Sequence, residues 1–138
     1  MFILDTDHIS LFQRNQPHVS ARVLATPPLE LATTIITVEE QLRGRLSRVG
    51  QAKTDQALVQ AYHNLGATVE FFQSITVINF DAAAQAVFTQ LRAQKLRLGT
   101  QDLRIAAIAL SRQATVVTRN QQDFGRVPKL VIEDWSVG

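Results

Sequence analysis

The sequence predicts an α/β fold with a central, mainly parallel sheet of four to five strands flanked by helices. Three observations predict it. Short β-rich apolar runs alternate with helical patterns along the whole chain. The first run, Phe2-Ile3-Leu4, is continuously apolar, as in a strand buried on both faces. The 138 residues are 46% hydrophobic and 19% charged, enough apolar material for one well-cored domain spanning residues 1–138.

Residues 2–5 read as the first strand. His8 to Arg14 is helical, and Asn15-Gln16-Pro17 stops it. A short helix around Val19–Leu24 ends before Pro27-Pro28. Glu30–Ile36 is rich in β-branched residues and reads as the second strand. Thr37 then starts a helix to about Val49, punctuated by Gly50. Thr54–Phe72 repeats Leu58, Ala61, Tyr62, Leu65, Val69 and Phe72 at helical spacing, with a kink expected at Gly66. Thr76–Phe80 is the third strand. Asp81 caps a helix to about Leu96, Gly99 breaks it, and Thr100 opens another to Arg112. Ala114–Thr118 is the fourth strand, Gln121–Phe124 a short helix, and Leu130–Ile132 a fifth strand at the sheet edge. No repeat, low-complexity tract or linker interrupts this order.

Composition excludes several chemistries. The chain has no cysteine, so it holds no disulfide framework, thiolate metal site or cysteine nucleophile. The three histidines, His8, His18 and His63, lack the spacing of zinc ligands. No apolar run is long enough for a membrane helix. Asp5 and Asp7 interrupt any signal-peptide pattern, so a cytoplasmic location is expected. The net charge is +2 and the pI about 9.5. If several acids are sequestered in one site, the remaining surface is distinctly basic, and mostly arginine.

Acids recur where strands end. Asp5 follows the first strand directly. Glu40 lies in the first turn of the helix after the second strand. Asp102 opens the helix that leads into the fourth strand. That helix runs antiparallel to the strand, so its N-terminus lies at the same edge. Asn120 and Asp123 follow the fourth strand. In a parallel sheet these four carboxylates share the edge where ligands of open α/β sheets bind. Each acid also has a structural explanation. Thr37-x-x-Glu40 is a capping box, Asn120-x-x-Asp123 is a near variant, and Asp102 favours a helix dipole. Capping does not require all four on one side of one sheet. Converging carboxylates repel and need a cation. Hard oxygen ligands suit Mg²⁺ or Mn²⁺. An acidic cation site on a basic protein suggests phosphoester chemistry, with Thr6, Thr118 and Asn120 orienting ligands or phosphate. His8, one turn past Asp5, either approaches this site or sits structurally in its helix. Asp7 is expected to point into that helix as a cap or outer group, so that Asp7→Asn costs far less activity than Asp5→Asn.

Leu4-Asp5-Thr6, Thr37-x-x-Glu40-x-x-x-Gly44, Asp102-x-x-Ile105-Ala106-Ala107 and Val117-Thr118-Arg119-Asn120-x-x-Asp123-Phe124 resemble, in order and spacing, the motifs of PIN-domain ribonucleases. They are similar in particular to VapC-type toxins of bacterial toxin–antitoxin pairs, as is the ending Glu133-Asp134-Trp135. The resemblance implies a PIN-like three-layer fold. It also implies a Mg²⁺- or Mn²⁺-dependent endoribonuclease in which a water attacks the phosphodiester. It implies a cognate antitoxin, and a homodimer or toxin–antitoxin hetero-oligomer. By position, Asp5, Glu40 and Asp102 match the core acidic triad and Asp123 the fourth acid, with Thr118 and Asn120 beside it. Two departures stand out. Gln41 follows Glu40 where leucine is commoner and Glu39 precedes it, but helical geometry favours Glu40, at the capping-box position and four residues before Gly44, as the second acid. Pro128-Lys129-Leu130 stands where Pro-Gly-Leu is more usual, which reads as a loop variation.

Arg43, Arg45, Arg48, Arg104, Arg119 and Arg126 are the candidates for RNA phosphates or an acidic antitoxin tail. The helices at Thr37–Val49 and Thr54–Phe72 carry apolar surface suited to an antitoxin or a second subunit. Three other readings compete. One is a haloacid-dehalogenase-type phosphatase with Asp5 as nucleophile, which wants a catalytic lysine beyond Lys53, Lys95 and Lys129. Another is a phospho-acceptor module around Asp81. The third is an RNA- or partner-binding protein that does not cut.

Overall fold

The computed structural model describes residues 1–138. Its elements run β1 (Phe2–Leu4), α1 (Thr6–Gln13), α2 (Pro17–Ala25), a 3-10 turn (Pro28–Glu30), β2 (Leu31–Thr34) and α3 (Ile35–Gln51). They continue with α4 (Asp55–Gln73), β3 (Thr76–Ile78), α5 (Ala82–Ala93), α6 (Thr100–Ser111), β4 (Thr115–Val117), α7 (Gln121–Phe124) and β5 (Ile132–Glu133). All five strands pair in parallel in the order β3-β2-β1-β4-β5. The chain winds outward from β1 through β2 to β3, then crosses back to lay β4 on the other side of β1. The crevice between the carboxyl ends of β1 and β4 is therefore the topological switch point of the sheet, where open α/β sheets bind ligands.

The pleat explains the three layers. Successive strand residues face opposite sides. Ile3, Ala32 and Val116 join one apolar cluster with Phe88, Leu91, Ile105 and Ile108 from α5 and α6. Their neighbours Leu4, Leu31 and Val117 join the other, with Ile9, Val19, Val23 and Trp135. The sheet is thus covered on both faces, which is why its strands are apolar without alternation.

Several boundaries differ from expectation. The second strand ends at Thr34, not Ile36, because Thr34 leaves the sheet as an N-cap whose hydroxyl accepts from the Thr37 N–H at 3.3 Å. The helix after it begins at Ile35, so Thr37 is not its cap and Glu40 lies in the second turn rather than the first. The β-branched run at Ile35-Ile36 reads as strand locally, and the cap overrides that propensity. α1 begins at Thr6 because Asp5 caps it. α4 passes through Gly66 as one helix. α5 ends at Ala93, short of Leu96, because Lys95 adopts φ 55°. The fifth strand is at the edge, as expected, but pairs at Ile132 and Glu133. No helix is long and apolar enough to cross a membrane.

Candidate functional site

Asp5 occupies the switch point because β1 ends there. Its backbone N–H donates to Val117 O at 3.1 Å, as the last rung toward β4. The side chain turns back to cap α1, and Oδ1 accepts from the Asp7 and His8 N–H groups at 3.1 and 3.3 Å. Oδ2 accepts from the Thr118 hydroxyl at 2.6 Å. Thr118 Oγ1 in turn accepts the Asn120 N–H at 2.9 Å. The residue is 5% exposed. Burial first, and then the hydrogen bond and negative charge of neighbouring Asp7, push its carboxyl up to about 9. The Thr118 and His8 hydrogen bonds oppose the rise without cancelling it.

Glu40 is reached through Thr6. The Thr6 hydroxyl donates to Glu40 Oε1 at 2.8 Å. Thr37 Oγ1 lies 3.1 Å from Thr6 Oγ1, and must be the donor of that pair because the single Thr6 proton is committed to Glu40. Glu39 faces elsewhere. It pairs with Arg43 at 2.7 Å and accepts from Gln101 at 2.8 Å, at the surface. Between the two glutamates, only Glu40 bonds to a residue next to Asp5.

Asp102 lies in the first turn of α6, half-buried. Burial raises its pKa most, followed by the charges of Glu40, Asp123 and Asp7. Those three charges act on one carboxyl, so acids from α1, α3, α6 and α7 converge across the edge. Asp123 is oriented from its own helix: Asn120 caps α7 by accepting the Asp123 N–H at 3.3 Å, and its amide donates to Asp123 Oδ2 at 3.0 Å. Arg126 donates to Asp123 Oδ1 at 2.8 Å.

Of the two expectations for Asp7, cap or outer group, its carboxylate does not serve as the cap. It accepts the Arg119 backbone N–H at 3.2 Å and lies 2.7 Å from His8 Nδ1. Burial pushes this carboxyl up, but the hydrogen bonds with His8 and Asp5 outweigh it, and its pKa falls below the ordinary value. Asp5, Asp7 and His8 offer ligand atoms all within 4.8 Å of one another. The sequence carried a signal for Asp7, since Asp5-x-Asp7 spans a helix start. The role of His8 depends on the chain's other end and has no local signature.

The arginines disperse. Arg119 and Arg126 flank the acids. Arg104 donates to Gln101 at 2.7 Å and lies 5.5 Å over the Phe88 ring. Arg43 is taken up by Glu39. Arg45 Nε donates to Thr68 at 2.9 Å. With Arg48 and Lys53, Arg45 lines a cavity of about 670 Å³ between α3 and α4 that no acid borders. Asp81 caps α5, accepting from Ala84 N–H at 2.9 Å.

The donor set of Asp5, Glu40, Asp102 and Asp123 is entirely hard oxygen. It includes Asp5, whose carboxyl is pushed up chiefly by burial and further by its neighbour Asp7, a condition that a cation relieves. That fits a divalent metal.

Fold and site together define a three-layer α/β protein with a carboxylate cluster at the switch point of a parallel sheet. The family model of the PIN domain matches residues 2–130. The chain is 30% identical to the tRNA(fMet)-specific endonuclease VapC of Salmonella typhimurium, over 97% of each chain. It is 35% identical to Ribonuclease VapC2 of Rickettsia felis over 47% of this chain and 52% of that one, about half of that relative's length. A DNA-bound VapBC crystal structure from Salmonella typhimurium superposes with a TM-score of 0.79 at 29% identity, covering 97% of both chains. The chain belongs to the PIN-domain family. That membership displaces the phosphatase and phospho-acceptor readings.

Proposed function

We propose that this protein is a divalent-metal-dependent endoribonuclease of VapC type, acting as the toxin of a toxin–antitoxin pair. The observation that carries the reading is the mutual effect of the acids. Asp102, from α6, is pushed up by burial and then by the charges of Glu40, Asp123 and Asp7, and Asp5 is pushed up by burial and then by Asp7. Such a cluster is electrostatically unfavourable by itself and suits a bound cation. The family and the ribonuclease names of the relatives support the reaction class.

Asp5, Glu40, Asp102 and Asp123 are the proposed metal-holding residues, and Mg²⁺ or Mn²⁺ the proposed ion. When bound, the ion would lower the pKa of a water and offset charge on the attacked phosphate. The chain's own residues do the positioning. Thr118 fixes Asp5, Thr6 fixes Glu40, and Asn120 and Arg126 fix Asp123. Arg119 and Arg126 flank the acids and would meet the RNA backbone. The partner is a cognate antitoxin, and the assembly a homodimer or a toxin–antitoxin hetero-oligomer. The VapBC complex to which the fold is similar supports this.

The test is cleavage of RNA by purified protein with Mg²⁺ or Mn²⁺, its suppression by EDTA, and its loss in Asp5→Asn and Asp102→Asn.

A further inference from the structure

His8 is buried with 0% exposure in the first turn of α1. A buried imidazole needs partners for both ring nitrogens. Nδ1 lies 2.7 Å from Asp7 Oδ1. Nε2 accepts the backbone N–H of Trp135 at 3.1 Å, across 127 residues of sequence. A backbone N–H can only donate, so Nε2 carries no proton and the ring proton sits on Nδ1, directed at Asp7. Asp134 Oδ1 is 3.5 Å from Nε2, but it accepts from the Ser136 N–H and hydroxyl at 2.8 and 2.6 Å.

The anchor itself is firm. Trp135 is 1% exposed. Its ring lies 5.2 Å from Phe2 and 4.7 Å from the Arg22 guanidinium. Its indole N–H donates to Glu133 Oε1 at 3.0 Å. The acceptor side of His8 is thus tied to the C-terminal segment, and its donor side reaches the acidic cluster.

We propose that His8 is a positioning residue of the acidic site: the Trp135 N–H fixes the imidazole so that Nδ1–H holds the Asp7 carboxylate beside Asp5. The inference rests on the reading of the site as a divalent-metal centre. With both nitrogens occupied, His8 is no ligand itself. It acts through Asp7, whose remaining lone pairs it aims. Outer partners of this kind tune how well a metal site binds. The C-terminal segment is thereby a structural part of the site, although no residue beyond Asp123 belongs to the acidic set.

Two amide substitutions separate the two sides of the ring. His8→Asn places an amide N–H near the Nδ1 position and nothing at Nε2. His8→Gln places an amide oxygen near Nε2 and nothing at Nδ1. The readouts are Mn²⁺ affinity by calorimetry, kcat and KM on an RNA oligonucleotide, and the thermal midpoint. His8→Gln is expected to weaken Mn²⁺ binding and kcat by about 10–100-fold with little change in KM, and His8→Asn by roughly threefold or less. A residue that merely anchors Trp135 gives the reverse order, with His8→Asn the more damaged in thermal midpoint and activity. That order, or equality of both variants with wild type, overturns the proposal and leaves the nuclease reading standing. Wild-type protein that binds Mn²⁺ but cleaves no RNA removes the nuclease reading, and the Mn²⁺ affinities of the variants still decide His8. Should neither variant fold, ¹⁵N shifts of the wild-type imidazole decide it. Protonated Nδ1 and unprotonated Nε2 are expected, and the opposite tautomer overturns it.

Discussion

The Thr118 hydroxyl donates a 2.6 Å hydrogen bond to Asp5 Oδ2, joining residues 113 positions apart. It closes the crevice between the carboxyl ends of β1 and β4, where the sheet reverses its winding. Everything proposed for the site radiates from this pair, because Asp5 is its most buried acid and Thr118 ties Asp5 to the Asn120–Asp123 turn.

Asp5→Asn is expected to abolish metal-dependent cleavage while stabilising the metal-free protein at pH 8. The amide keeps an oxygen for the α1 N–H groups and removes the cost of taking up a proton on folding. A rise of at least about 1.4 kcal/mol, the worth of one pKa unit, is expected in urea unfolding. A loss of stability contradicts the repulsion argument.

The sign of the pH dependence follows from the raised Asp5 pKa. The folded protein holds a proton that the unfolded chain releases near 3.8. The stability from this group is therefore fully present below about pH 4 and is lost as pH rises toward 9. The thermal midpoint of metal-free protein should fall across that window. Saturating Mg²⁺ should flatten the fall, and Asp5→Asn should remove the Asp5 contribution to it.

Much of this was legible in the chain. Continuous apolar runs such as FIL mark doubly buried strands, and acids one step beyond them locate one sheet edge. What was not legible depended on a local competition and on long-range partners. Thr34 rather than Thr37 caps α3, because its hydroxyl, accepting from the Thr37 N–H three residues on, ends a run that ELATTII shows as uninterrupted strand. Asp7 read as a cap or an outer group, and the choice between them needed the Arg119 backbone, reachable only after β4 lies beside β1. Helix geometry in the sequence already favours Glu40 over Glu39, and the Thr6 hydrogen bond adds to it.

That choice gives a direct comparison. Glu40→Gln is expected to lower kcat by about 100-fold or more, on the scale of lost transition-state electrostatics. Glu39→Gln, which breaks the surface pair with Arg43 and leaves an amide oxygen for Gln101, should change kcat by less than about threefold. Equal losses place both glutamates at the site.

Lys129 adopts φ 68°, in the left-handed region that favours glycine. The lysine at this turn is therefore more than a neutral loop variation. Lys129→Gly should relieve strain of about 1–2 kcal/mol, partly offset by the freer unfolded chain, for a net gain of roughly 0.5–1 kcal/mol in urea unfolding. A destabilised variant contradicts the strain reading.

Arg119 and Arg126 flank the acids, and each is a proposed phosphate contact. Arg119→Ala should weaken RNA binding and reduce the slope of log affinity against log salt by about 0.7, as for one lost contact to a single strand. An unchanged slope removes Arg119 from the RNA path.

The central claim is that the acids at the β1–β4 crevice form a metal-dependent RNA-cleaving centre. One measurement tests it most directly: the rate at which purified wild-type and Asp5→Asn proteins cleave a structured RNA with Mg²⁺ or Mn²⁺, against EDTA. The account predicts cleavage by wild type with metal, none with EDTA, and none by folded Asp5→Asn. EDTA-resistant cleavage, or cleavage by Asp5→Asn at the wild-type rate, contradicts it.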